Sequence, residues 1–289
     1  MISMDKRMMY LTVVFILLFI SGVKAQDLDV PYVSTPHSVV KKMLDVADVG
    51  SGDYVIDLGC GDGRIVISAA LRGAAGHGVD LDPERIREAR ENARKAGVSD
   101  RVMFVKEDIF KTDFSRANVI TMYLLTTVNA DLRPRLLDIL EPGTRVVSHD
   151  FGMGTWEPDK YIKMGSSADD SETWKSGQLL DSDIHEIYYW VVPANVEGRW
   201  NWQLGNRNFV MEVEQSFQEI NPKITEDGNK LNIKRQVLKG DRISITAVNP
   251  GNGIHYVFNG SINEDEITGK TQVRGTSSNL IKNWSAVRK

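Results

Sequence analysis

The stretch from Tyr54 to Ala70, YVIDLGCGDGRIVISAA, limits what this chain can fold into more than any other. Val55, Ile56 and Leu58 form a short apolar run suited to a buried parallel strand. Gly59, Gly61 and Gly63 break that run, and Ile65, Val66, Ile67, Ala69 and Ala70 resume it with helical spacing. A strand, a glycine turn and a helix make the ligand corner of an open α/β sheet, where small molecules sit beyond the carboxyl ends of the strands. Glycine is needed there because the backbone turns sharply and must approach the ligand with no Cβ between.

The details of the turn select the ligand. A dinucleotide fingerprint reads G-x-G-x-x-G, whereas here the spacing is G-x-G-x-G, with Arg64 in the position of the last small residue. Asp57 precedes the first glycine by two residues, where a carboxylate would repel a pyrophosphate but suit an ammonium group. S-adenosylmethionine (SAM) carries an ammonium, a sulfonium and no phosphate, and it fits better than NAD. HGVDLDPERI reads as a second strand ending at Asp80, 21 residues beyond Gly59, in the position of a carboxylate that grips ribose hydroxyls. RVMFVKEDIF reads as a third strand ending at Asp108, placed to accept a hydrogen bond from an adenine amino group.

With these residues in register the chain resembles the class I SAM-dependent methyltransferases, and Asp57, Gly59, Gly61, Gly63, Asp80 and Asp108 match that family's motif positions. Within the class, the run from Pro31 to Phe151, including MYLL and LEPGTRVVSHDF, is similar to bacterial relatives of the mitochondrial lysine methyltransferases that modify the ATP synthase c-subunit and the adenine nucleotide translocase. The resemblance implies a seven-stranded sheet, SAM as methyl donor and protein lysine as an acceptor. It also implies that the loop after the fourth strand, Tyr123 to Asn129, lines the acceptor channel. A lysine acceptor must lose a proton, and Tyr123, His149 and Asp150 are the candidates to assist.

Residues 1–25 have the layout of a secretory signal or membrane anchor: Lys6-Arg7, an apolar run from Met8 to Ile20, then small residues up to Ala25. This gives an expectation of export or membrane attachment, with a cytoplasmic location as the alternative. Thr35-Pro36 reads as an N-cap and first-turn pair, followed by an apolar helical face of Val39, Val40, Met43, Leu44 and Val46. This helix would place Tyr32 and Thr35 near the methionine end of SAM. Asp82-Pro83 starts another helix, with Ile86, Ala89, Ala93 and Ala96 on its buried stripe. A further helix is expected over LRPRLLDILEPG, a fifth strand over TRVVSHDF, a long polar loop or ragged hairpin from Gly152 to Asp183, and a closing strand over IHEIYYWVVP. Residues 26–193 thus form a doubly wound, mostly parallel α/β domain. From Ala194 to Lys289 short strand-like runs, GRWNWQLG and NFVMEVEQSF among them, point to a small antiparallel barrel or sandwich with Trp200 and Trp202 in its core.

Charge is divided between the two parts. Residues 26–193 carry 19 Lys+Arg against 28 Asp+Glu, and residues 194–289 carry 13 against 10. The acidic half disfavours nucleic acid as acceptor and favours a cationic one such as a lysine-bearing protein. Cys60 is the only cysteine, which excludes an internal disulfide, and its place between glycines suits a small packing residue. The five histidines are scattered with no metal-ligand spacing, so no metal site is expected. A second function class is compatible with the leader and the β region: an envelope-located SAM-binding interaction protein without transfer activity.

Overall fold

The computed structural model describes residues 33–165, 184–275 and 279–289. Residues 1–25, where a leader or anchor is expected, Tyr32 and most of the polar stretch up to Asp183 lie outside these residues. Among the described residues no helix is long and apolar enough to cross a membrane.

The first half alternates helix and strand: α1 (His37–Val46), β1 (Tyr54–Leu58), α2 (Arg64–Leu71), β2 (Ala75–Asp80), α3 (Pro83–Lys95), β3 (Val102–Lys106), β4 (Val119–Met122), α4 (Thr126–Ile139), β5 (Arg145–His149), β6 (Lys160–Gly165) and β7 (Ile184–Val191). The strands form one sheet in the order β3-β2-β1-β4-β5-β7-β6. β1 to β5 run parallel, and β7 pairs antiparallel with both β5 and β6. The closing strand expected over IHEIYYWVVP therefore sits inside the sheet, and the ragged hairpin contributes the edge. Chain order reverses between β1 and β4, the switch point at which an open α/β sheet leaves a crevice at its carboxyl end.

Side-chain burial explains the elements. The α1 face of Val39, Val40, Met43 and Leu44 is fully buried and packs with Val55, Val119, Val147 and Ile187 from the sheet. In α3 the stripe Ile86, Ala89 and Ala93 packs with Phe104 and Cys60, so the cysteine is a packing residue as expected. Asp82 caps α3 by accepting the backbone N–H of Glu84, with Pro83 in the first turn. Thr35 does not play that role for α1, which starts after Pro36 with no side-chain cap; Thr35 is buried and turned elsewhere.

Two other boundaries differ from expectation. β3 stops at Lys106 rather than Asp108, because its ladder partner on β2 ends at Asp80 opposite Lys106. α4 starts at Thr126, so only Tyr123 to Leu125 remain as the loop after β4. Its buried line Val128, Leu132 and Leu136 has helical spacing, and Pro134 faces outward.

The second half is one nine-stranded antiparallel sheet, order β11-β10-β9-β8-β16-β15-β14-β13-β12. Its strands are β8 (Gly198–Leu204), β9 (Arg207–Ser216), β10 (Glu219–Glu226), β11 (Asn229–Lys230), β12 (Asn232–Lys239), β13 (Arg242–Val248), β14 (His255–Asn263), β15 (Glu266–Arg274) and β16 (Asn279–Arg288). The ends curl together until β10 meets β12 and Leu231 N–H donates to the Ile224 carbonyl, a nearly closed barrel. Trp200, Trp202, Phe209, Tyr256, Phe258 and Trp284 fill it. The strand β10 is absent from the sequence reading because Pro222 interrupts it. It is tolerated because β11 pairs β10 only at Thr225 and Glu226, leaving the Pro222 side as an edge.

Candidate active site

The carboxyl ends of β1, β2, β4 and β5 bring together most of the residues singled out in the sequence. Gly59, Gly61 and Gly63 all have left-handed backbones, φ +77°, +51° and +79°. A Cβ would meet Leu124 at 2.9 Å from Gly59 and the Phe104 ring at 2.7 Å from Gly63, so side chains are excluded by both conformation and space. The turn is tied to β2: the N–H groups of Gly59 and Cys60 donate to the Val79 carbonyl, and that of Gly61 donates to Asp80 Oδ2 at 2.9 Å.

Asp80 therefore also shapes the turn, its second oxygen accepting the N–H of Asp82. Asp80→Ala should weaken SAM binding by roughly 1.5–3 kcal/mol through lost charge-assisted bonds. Calorimetry with S-adenosylhomocysteine checks it, and unchanged affinity would rule the residue out.

Asp57 is 2% exposed at the floor of the crevice, where Thr121 Oγ1 donates to it at 2.7 Å. Burial, with further repulsion from Asp80 and Asp62, pushes its carboxyl up to about 7 despite that bond. Arg64, which breaks the dinucleotide fingerprint, has a definite place. Its guanidinium forks onto Asp62 and donates to the Thr35 carbonyl at 2.8 Å, tying the glycine turn to the segment before α1. With that cation engaged by a carboxylate and two further acids beside it, the turn suits a cationic ligand better than a phosphate. Left-handed glycines, blocked Cβ positions and a buried carboxylate fit SAM. Asp108 lies in the turn after β3, accepting the Phe110 N–H and pairing with Lys111 at 3.2 Å.

The candidates for chemistry converge at the ends of β4 and β5. Tyr123 lies against His149 with ring centroids 4.0 Å apart and the rings tilted by 40°, and its hydroxyl donates to Asp150 Oδ2 at 3.3 Å. His149 is fully buried, and burial depresses its imidazole to about 4, so it is neutral near pH 7. Burial raises Asp150, but His185, His149 and the Glu186 N–H outweigh it and hold the carboxyl below its ordinary value. Burial and the adjacent Asp150 push the Tyr123 phenol up, which keeps it protonated as a donor.

His149 has two further neighbours: Thr35, expected beside the methionine end of SAM, and His185, which escapes the sequence reading. Thr35 Oγ1 lies 3.3 Å from His149 Nδ1, and His185 Nδ1 lies 3.1 Å from His149 Nε2. These two histidines are 36 residues apart in the chain, so the expectation that the histidines are scattered is overturned by the β5–β7 pairing. Ile187 is the cross-strand partner of His149, and His185, two residues away, shares its face. The alternation in IHEIYYWV is the available signal.

Comparison with known proteins identifies the family. The ANTKMT methyltransferase domain family matches residues 57–160. A protein-lysine N-methyltransferase of Saccharolobus islandicus is 51% identical over 137 residues, covering 47% of this chain and 85% of the relative. The chain belongs to this methyltransferase family. It is a SAM-dependent methyltransferase. An ATP synthase c-subunit lysine N-methyltransferase of Xenopus laevis is 31% identical to the methyltransferase over 163 residues, covering 56% of this chain and 71% of the relative. A solved structure described as an RNA methyltransferase from Salinibacter ruber with S-adenosyl-L-homocysteine shares 45% identity, covers 57% of this chain and 96% of its own, and has a TM-score of 0.49.

Proposed function

We propose that the enzyme methylates lysine side chains of a protein acceptor. The observation that carries this reading is the pairing of an anionic Asp150 with a neutral, buried His149 at the mouth of the crevice. SAM, when bound, supplies an electrophilic methyl group, and Asp57, Asp80 and Asp108 are the residues assigned to its ammonium, ribose and adenine groups. An acceptor lysine arrives as an ammonium, and a nucleophile must carry a free lone pair. Asp150, oriented by Tyr123 and the Glu186 N–H, attracts and aligns the ammonium. His149, neutral and fully buried 3.1 Å from the same carboxylate oxygen, helps to hold it in place, while the ammonium gives up its proton to solvent before attack. The names of the Saccharolobus and Xenopus relatives support a lysine acceptor. Membership of a transferase family favours this reading over a binding protein without activity.

We further assign residues 1–25 to a leader or anchor and residues 194–289 to a separate domain serving acceptor recognition or localisation. The test of acceptor class is incubation of the full chain with labelled SAM and host protein and RNA fractions. Label in protein, mapped by mass spectrometry to lysine and rising with pH as the amine deprotonates, supports the proposal. Asp150→Asn should lower kcat/KM for the acceptor about 100-fold while S-adenosylhomocysteine still binds. Label confined to RNA would overturn the lysine assignment.

A further inference from the structure

We infer that His149 Nε2, His185 Nδ1 and Asp150 Oδ2 form a binding site for a divalent first-row transition ion such as Zn²⁺. The separations are 3.1 Å between the two nitrogens, 3.1 Å from His149 to the carboxylate oxygen and 3.8 Å from His185 to it. Ligand atoms about 2.0–2.1 Å from a tetrahedral ion stand roughly 3.4 Å from one another, and these three distances bracket that value. Two imidazoles and one carboxylate are also a donor set suited to such ions.

The Nε2 nitrogen of His149 is closely crowded by both other ligand atoms. A ring nitrogen offers one proton or one lone pair in a single direction. His149 Nε2 nevertheless has both His185 Nδ1 and Asp150 Oδ2 at 3.1 Å. All three atoms lie within 3.8 Å of one another, close enough to share one ion.

The backbone enforces that proximity. Adjacent residues of a strand point to opposite faces, yet His149 and Asp150 aim at one place. They do so because Asp150 has φ +58°, a left-handed conformation uncommon for a residue with a Cβ. Its N–H donates to the Glu186 carbonyl at 2.7 Å, and its Oδ1 accepts the Glu186 N–H at 2.8 Å, so the kinked residue is clamped by main chain. Thr35 Oγ1 beside His149 Nδ1 is placed to accept that nitrogen's proton, which leaves the Nε2 lone pair for the ion, the outer-sphere support usual for ligating histidines. The side chain of His149 is fully buried, that of His185 is 10% exposed and that of Asp150 is 25% exposed. The open side on Asp150 gives an ion its entry and a position for an exchangeable ligand. The inference rests on this geometry and does not depend on the acceptor being lysine.

The test uses the untagged full chain after treatment with and removal of a chelator, titrated with Co²⁺ and then with competing Zn²⁺. One equivalent of Co²⁺ should develop visible d–d bands that Zn²⁺ abolishes. His185→Ala and Asp150→Asn should each weaken Zn²⁺ binding at least about 100-fold, while His255→Ala, on the exposed face of the barrel, should leave it unchanged. Absence of stoichiometric d–d bands in the wild type overturns the site, as does equal Zn²⁺ affinity in the Asp150→Asn protein. Asp150→Asn preserves side-chain size, so it decides the matter even where His185→Ala fails to fold.

Discussion

Replacing Asp57 with asparagine is expected to stabilise the ligand-free methyltransferase above neutral pH and to weaken its grip on SAM. The carboxyl is held at about 7 in the fold against an ordinary 3.8, chiefly by burial. A group raised in this way contributes stability that is fully present below about pH 4 and is lost as pH rises through about 7. At pH 8 the folded protein holds a buried carboxylate with Asp80 and Asp62 nearby, at a cost on the order of 4 kcal/mol from ~1.4 kcal/mol per pH unit. Asparagine can keep an oxygen for the Thr121 hydroxyl and removes the charge. Thermal unfolding at pH 8 should therefore rise by several degrees, at about 2–4 °C per kcal/mol for a chain of this size. An ammonium placed against Asp57 stabilises the charged form, so ligand binding near pH 6.5 should expel a proton. Calorimetry in buffers of different ionisation heat would register that release in the wild type and its loss in Asp57→Asn. The variant should bind SAM about 10- to 100-fold more weakly, the loss expected for a charge-assisted bond. A variant that is no more stable at pH 8 and binds SAM as tightly as the wild type would remove Asp57 from the site.

The same residue shows how far the sequence can be read. Asp57, Asp80 and the three glycines are legible because each is fixed by local chain geometry: a strand end, a tight turn, a helix start. Tyr123, His149 and Asp150 are legible as strand ends, although what they do to one another is not. Their relation depends on which strand lies beside β5, and the sequence does not announce that β7 inserts between β5 and β6. His185 is hidden for the same reason. Thr-Pro is a local helix signal that points to Thr35 as a cap, yet burial against His149 prevails over capping. In the barrel the alternating strands are visible, but β10 is not, because a proline is a local veto that an edge position lifts.

Separating the two halves at Pro193 should have unequal consequences. Every buried member of the barrel's core cluster lies between Ala194 and Ala286, and the aromatic cluster of Trp202, Phe209, Phe258 and Trp284 is drawn wholly from the second half. A fragment of residues 194–289 is therefore expected to fold alone, with a cooperative unfolding transition. The first half depends on the joint. Trp156 is 1% exposed, packed between Trp190 and Phe217, with its indole N–H donating to Gln218 Oε1 at 2.7 Å. Gln218 in turn donates to the Glu157 carbonyl, and the Arg133 guanidinium lies over the Phe217 ring. Gly240 presses so closely on Gly143 that a Cβ would stand 2.9 Å from its Cα. Removing the barrel strips Phe217 and Gln218 from Trp156 and leaves an indole uncovered, a loss of about 2–4 kcal/mol from apolar exposure and a missing hydrogen bond. None of these groups touches the glycine turn, so residues 26–193 should still bind S-adenosylhomocysteine, with a lower unfolding temperature and red-shifted tryptophan emission. Phe217→Ala in the full chain should reproduce part of that red shift. A 26–193 fragment as stable as the whole would show that the joint is incidental, and a barrel fragment that fails to fold would show that the dependence runs the other way.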